Sequence, residues 1–226
     1  MSYSDSLTME RILEIFEEEA SSHQGKVLES FNHGGTLFAR SVLPQFEEIR
    51  VGDRLQSGVA LRATQNALWV YPYVFRLVCR NGAIMARAAE GQEIAELGIL
   101  PAFEAETLLR ETIAACCQTE VFAATAEQMR SAAQRPFDLM LSMMPMLARL
   151  SKVDSQIARQ VLQRFVGDDD KTDYGFINAV TSTARDTQAH ELRWKLEEFA
   201  GELILRTNPA PALEHRAELE LPQSTF

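Results

Sequence analysis

Apolar positions recur along this chain with two different periods, and the change of period divides it. Between Ser6 and Ala20, Met9, Ile12, Leu13, Phe16 and Ala20 fall on one stripe of a helix, and five glutamates from Glu10 to Glu19 cover the remainder. Residues 21–35, rich in Ser, Gly, His and Asn, read as a loop. From Thr36 to Arg87 the period falls to two. Leu37 to Leu43 and Phe46 to Val51 read as short strands on either side of Pro44, and Val59, Leu61 and Ala63 alternate with Ala60, Arg62 and Thr64. In the run that follows, Trp69, Tyr71, Tyr73 and Phe75 stand at strict two-residue spacing, so an extended backbone projects all four rings from one face. Pro72 cannot donate to a ladder, which puts this strand at an edge or breaks it there.

Asn81-Gly82 is a strong short-range hairpin signal between Leu77 to Arg80 and Ala83 to Ala86. A two-residue turn there sets Arg80 opposite Ala83, Val78 opposite Met85 and Arg76 opposite Arg87. Facing arginines call for an anion between them, a phosphate or a carboxylate of the protein. The competing pattern is a short helix from Tyr73 to Arg80 ending at Gly82. From Pro101 onward the period is helical. Ala102 to Ala133 forms one long helix or two. Pro136 opens another that Pro145 kinks or ends. Ser151-Lys152-Val153-Asp154 reads as a capping box ahead of the stripe Val153, Ile157, Val161, Leu162 and Phe165. After a loop at Gly167 to Lys171, a last helix runs from Thr187 to Arg206. The expected architecture is one α+β domain over residues 1–207. It has an N-terminal helix, a small antiparallel sheet with a hairpin in a β-rich core at 36–90, and a mostly helical half at 101–206. Residues 208–226 hold three prolines and read as a flexible tail.

Composition excludes several classes. With 46% hydrophobic and 24% charged residues the chain has globular proportions. No apolar run reaches the length of a membrane span, and Met1 to Asp5 shows no signal core, so a cytoplasmic protein without membrane contact is expected. Cys79, Cys116 and Cys117 give neither a disulfide framework nor metal-ligand spacing. Asp168, Asp169, Asp170 and Asp173 lack the spacing of a calcium loop. Met140, Met143, Met144 and Met146 read as core filling. His23, His33, His190 and His215 read as surface residues. Phosphate-loop, dinucleotide and nucleophile-elbow motifs are absent. Neither metal nor cofactor is expected, and no catalytic set assembles.

The net charge of −10 argues against a protein that coats nucleic acid through bulk charge. The distribution is uneven, however. Thr36 to Arg87 holds seven arginines against Glu47, Glu48 and Asp53, a net of +4, which leaves −14 on the rest. Rings interleaved with arginines are one way to hold single-stranded nucleic acid. On that reading Trp69, Tyr71, Tyr73 and Phe75 stack bases, and Arg62, Arg76, Arg80 and Arg87 neutralise phosphates. The ordinary alternatives are arginines paired with acids on neighbouring helices, and rings that build a core. Val70, Val74 and Val78 on the opposite side favour the latter, because a strand apolar on both faces is usually buried.

Arg76-Leu77-Val78-Cys79-Arg80-Asn81-Gly82 resembles a motif of the phage/plasmid-like protein family known as domain of unknown function 932. Val51-Gly52-Asp53-Arg54 with Ser57-Gly58-Val59, and Tyr174-Gly175-Phe176-Ile177-Asn178-Ala179-Val180-Thr181, are similar to further segments of that family. The likeness runs from Val51 to Gly201. It departs at Arg80, where the family pattern has Thr, and the N-terminal part is short. The resemblance implies a mobile-element setting and singles out Cys79, Asn81, Gly82, Asn178 and Thr181; it carries no catalytic residues. Together these readings lead to the expectation of a non-enzymatic, homo-oligomeric binder of single-stranded nucleic acid that assists annealing or recombination. The alternative is an acidic inhibitor or regulator that meets a protein partner through its acidic helices or its acidic C-terminal tail, which is faintly similar to the tails of single-strand-binding proteins.

Overall fold

A computed structural model describes residues 7–86, 88, 91–95, 100–138 and 144–206. Helix α1 (Met9–Ser22) leads into six strands: β1 (Lys26–His33), β2 (Thr36–Arg50), β3 (Asp53–Ala63), β4 (Ala67–Arg76), β5 (Asn81–Ile84) and β6 (Gln92–Ala95). Six helices follow: α2 (Ala102–Cys116), α3 (Thr119–Gln134), α4 (Met144–Val153), α5 (Ser155–Gly167), α6 (Asp173–Asp186) and α7 (His190–Arg206). The strands form one antiparallel meander, β1-β2-β3-β4-β5, with β6 also paired to β4. This is the α+β architecture that the two periods indicate. Among the described residues no helix is long and apolar enough to cross a membrane.

Local chemistry explains where the elements depart from expectation. Strand β1 lies in the stretch that reads as loop. Its inward positions are Val27, Glu29 and Phe31, and a glutamate among them disguises the two-residue period. Strand β2 runs unbroken past Pro44, because the register shifts between Val42 and Phe46 and leaves the exposed proline in the irregular segment. Pro72 is not at a sheet edge. Its carbonyl accepts from Met85 N at 2.9 Å, so its nitrogen faces the same side, at the junction where β5 gives way to β6 and no donor is required.

The β4–β5 turn also differs from the two-residue hairpin. Arg76 pairs with Asn81 and Phe75 with Gly82, so Leu77 to Arg80 make the turn and Asn81-Gly82 belongs to the strand. The pairings of Arg80 with Ala83, Val78 with Met85 and Arg76 with Arg87 therefore do not form; Arg87 lies outside the described residues. Arg80 takes the left-handed conformation that closes the turn (φ 52°). Gly82 is required by crowding: a Cβ there would stand 2.1 Å from the Tyr73 hydroxyl.

Among the helices, the break between α2 and α3 falls at Cys117-Gln118. Pro136 forms a β-bridge to Thr172 rather than opening a helix. Pro145 sits in the first turn of α4, where its missing donor costs nothing. Asp154 alone caps α5, accepting from Gln156 N at 2.7 Å and Ile157 N at 3.1 Å, while Ser151 to Val153 finish α4. The Tyr174 to Thr181 segment lies within α6 and is buried throughout. Met140, Met143 and the tail at 208–226 lie outside the described residues.

The sheet is covered on both faces. Leu37, Ala39, Val59, Leu61, Leu68 and Val70 pack against α1 and α2, and Leu55, Val74 and Ala83 extend that face into a core shared with α3, α5 and α6. Phe38, Ala60, Tyr71, Tyr73 and Ile84 face the other way, onto Trp194 of α7. Gly201 permits the approach: a Cβ there would lie 1.9 Å from the Ile84 carbonyl oxygen.

Candidate functional site

The sequence-predicted site divides between two places. The ring face forms as the alternation requires, but α7 lies on it. Tyr71 and Tyr73 are 8% and 2% exposed, and Trp69 and Phe75 are half-buried against the same cluster. Burial pushes the Tyr73 hydroxyl pKa far up and that of Tyr71 to about 12. Arg62 stacks 4.6 Å from the Trp69 ring and donates to Glu191 of α7 at 2.9 Å. Buried Arg40 donates through Nε to Glu197 of α7 at 2.9 Å and through Nη1 to Glu29 at 2.9 Å, and Arg193 bridges the same two glutamates. The four rings are thus not an open stacking platform, because a helix of the chain itself occupies the place expected for a ligand. Lifting α7 would expose Trp194, Leu196, Phe199, Leu203 and Ile204, each buried at a gain of roughly 1.5–3 kcal/mol. That is on the order of a small domain's whole stability, so α7 is core and not a lid.

The second place is the β4–β5 turn, where the motif residues of distant segments meet. Arg76 holds the buried Asp53 carboxylate with Nε and Nη2 at 2.6–3.0 Å, and its Nη1 lies 3.2 Å from Cys79 Sγ. Tyr174 donates its hydroxyl to the same Asp53 at 2.7 Å; burial and this bond push its pKa up. Asn81 donates through Nδ2 to Thr181 Oγ1 at 2.8 Å and Ser182 Oγ at 3.1 Å, joining β5 to α6. Arg185 ties the end of α6 to the turn by donating to the Cys79 carbonyl at 2.6 Å. A groove of about 360 Å³ opens beside this network, lined by Arg76, Cys79, Gln163, Arg164, Asp168, Asn178 and Ser182 among others.

At the groove's rim Arg164 and Arg185 face two acids, Asp186 and Asp168. Arg164 donates to Asp186 at 2.6 Å, and Arg185 holds the same carboxylate at 2.7 Å, so two guanidiniums share one acid. The bonds from Arg185 and Arg164 hold the Asp186 pKa at about 2. Of the predicted site residues, Arg76, Cys79, Asn81, Asn178 and Thr181 come together here, with Arg80 in the adjoining turn. Arg62, Trp69, Tyr71 and Tyr73 do not; they lie on the opposite face. Sequence reasoning missed Asp53, Tyr174, Ser182, Arg164 and Arg185. Asp53 and Tyr174 stand inside the segments that carry the family resemblance, which was the available signal.

Other candidates resolve into structure. Asp170 takes a bond from Arg50 at 2.6 Å, and Asp173 one from Arg135 at 3.0 Å. No cluster of metal-type ligands occurs among the described residues. Cys116 and Cys117 are buried, and burial pushes the Cys117 thiol to about 12. Comparison with protein-family models, with the curated proteins and with the solved structures finds no match to this chain. The site is read from its chemistry.

Proposed function

We propose that the protein is a non-enzymatic binder of single-stranded nucleic acid, of the kind that assists annealing or recombination, and that its contacts lie around the β4–β5 turn, beyond the rings that α7 covers. One observation carries this reading: Arg80 is exposed in the turn and makes no ion pair among the described residues, and Arg54, exposed on β3 with Glu48 opposite it in the β2–β3 ladder, makes none within 4 Å. The backbone joins their segments, since Leu77 N, at the start of the turn that ends in Arg80, donates to the Arg54 carbonyl at 3.0 Å. Arg54 also lies 4.8 Å over the ring of Phe46, which is 42% exposed. An arginine–aromatic pair open to solvent offers a cation for phosphate and a face for a base.

Fluorescence anisotropy with labelled single-stranded DNA at two salt concentrations tests it, comparing wild type, Arg54→Ala/Arg80→Ala and Arg62→Ala. Salt-sensitive binding is expected, with a log–log slope that falls by roughly 0.7 for each arginine removed at the turn and is unchanged by Arg62→Ala. Wild type that fails to bind at low salt sinks the proposal.

A second reading has its own observation. Helices α1 and α2 pack side by side and carry eight glutamates against Arg11 and Arg110, a net −6, with Phe103 81% exposed at the start of α2. That surface suits a basic protein partner. A partner retained by wild type and lost on Glu10→Lys/Glu17→Lys, in a protein that ignores nucleic acid, would make this the function.

A further inference from the structure

We infer that the free edge of the sheet at β1 is a dimerisation surface, and that its occupant is β1 of a second copy of this chain, paired antiparallel about a two-fold axis at Phe31. The two ends of the strand order differ. At one end β5 is held by α6 and α7: Asn81 donates to Thr181 and Ser182, and Gly201 packs on the Ile84 carbonyl. At the other end β1 pairs with β2 alone among the described residues, and all of its positions are exposed or half-buried.

Register decides which backbone groups that edge offers. Gly34 and Gly35 both have positive φ, 58° and 77°, and join His33 to Thr36 as a two-residue turn whose closing pair is hydrogen-bonded. Bonded and non-bonded pairs alternate from there. Phe31 and Glu29 therefore spend their N–H and C=O on β2, and Ser30 and Asn32 point theirs outward. The far side of β2 agrees. Thr64 N donates to the Ala67 carbonyl at 2.8 Å, which turns Ala63 and Leu61 towards Leu37 and Ala39 and leaves Phe38 to bond Phe31. Ser30 and Asn32 are exposed. The usual guards of an edge strand stop short of them: Lys26 and the bulge between Val27 and Glu29 lie at the other end, and β1 has no proline.

A second copy answers these groups in kind. With Phe31 facing its counterpart, Ser30 stands opposite Asn32 of the second copy and Asn32 opposite its Ser30, and each pair exchanges both backbone hydrogen bonds. On the face towards α7 this register sets His33, a donor, opposite the Glu29 carboxylate, and one phenyl ring opposite the other. On the face towards α1 it sets an amide opposite a hydroxyl. Moving the axis to Ser30 puts Glu29 opposite Phe31 and draws the bulge into the pairing; moving it to Glu29 sets like charges face to face. The strand is thus complementary to itself in one register, which is what points to a copy of the same chain.

Sedimentation velocity of the full chain over a range of concentrations tests the interface. Wild type is expected to sediment as a dimer of the 25.4 kDa chain, with the Ser30 and Asn32 amides protected from hydrogen exchange. Ser30→Lys/Asn32→Lys sets ammonium groups opposite one another on exposed positions and should weaken dimerisation at least tenfold, with a melting temperature near wild type. Ser30→Lys/Asn32→Glu sets opposite charges against each other in this register and should restore it. Wild type that stays monomeric throughout overturns the proposal, and protected amides in that monomer would place a segment of the chain itself on the edge. A dimer that the double-lysine variant leaves intact also overturns it and moves the contact to another surface. A lysine–glutamate variant as weak as the double-lysine one refutes the self-pairing.

Discussion

The ring face under α7 and the β4–β5 turn are built from the same arginine-rich window, and they end in opposite states. On the ring face Arg62 meets Glu191, 129 residues further on, and Arg40 meets Glu197, 157 residues further on. Near the turn Arg80, and Arg54 opposite Glu48, make no ion pair among the described residues, and Arg164 and Arg185 share Asp186. Interleaved rings and arginines therefore describe a surface that awaits negative charge without saying who provides it. Here a distant helix does so on one face, and its apolar stripe makes the arrangement permanent. Where that helix does not reach, arginines of the same window stay exposed.

The largest expected effect tests whether the ring face is core at all. Trp194 is fully buried against Phe38, with ring centroids 5.7 Å apart, and has the Arg40 guanidinium 5.6 Å from its own centroid. Trp194→Ala should destabilise the fold by about 3–5 kcal/mol, measured by urea denaturation, because it removes a large side chain from a site that cannot collapse. A loss below about 1 kcal/mol would mean that α7 sits loosely, and the ring face would return as a binding surface.

Sequence made one half of this comparison legible and hid the other. The ring periodicity and the apolar residues opposite it indicate a strand buried on both sides, and the structure has that. What covers the rings was hidden, because Glu191 and Glu197 read as ordinary polar positions of a terminal helix; nothing in α7 itself names Arg62 or Arg40 as a partner. The hairpin register failed for a related reason. Asn81-Gly82 has the composition of a two-residue turn, but Asn81 is needed inside β5 to bond Thr181 and Ser182, and Gly82 makes room for Tyr73. Tertiary demand for those two residues outweighs their local preference, and the turn moves four residues back. Strand β1 was illegible because its inward Glu29 is satisfied by Arg40 and Arg193, contacts that no local pattern contains.

A smaller effect sharpens the picture of α7 as a supplier of acids. Glu198 neighbours the glutamates that neutralise the ring face, but burial dominates its environment and raises its pKa, against the charge of Arg62. A carboxyl whose folded pKa exceeds its unfolded value costs the native state stability when ionised. That cost is present at neutral pH and is relieved as pH falls through the folded pKa towards the unfolded value near 4.5. Glu198→Gln should therefore raise the melting temperature at pH 7, with the advantage shrinking as the pH approaches 4.5. An advantage that grows on acidification would reverse the sign and make Glu198 a net stabilising partner of Arg62.

The smallest effect on stability is expected at the turn, and its smallness is the informative part. Arg80 holds φ at 52°, a conformation that costs a residue with a Cβ about 1–2 kcal/mol. Arg80→Gly removes that strain but adds roughly 0.5–1 kcal/mol of unfolded-chain entropy. With no acidic partner lost, the two terms nearly cancel, and denaturation should place the variant within about 1 kcal/mol of wild type, on the stabilised side. If the turn is a ligand surface, the same variant loses salt-sensitive nucleic-acid binding. Stability held or gained together with binding lost is what distinguishes an arginine kept for a ligand from one kept for the fold, such as Arg40 beneath α7. A clear loss of stability would instead show that Arg80 has a structural partner, and would remove the contrast between the two faces.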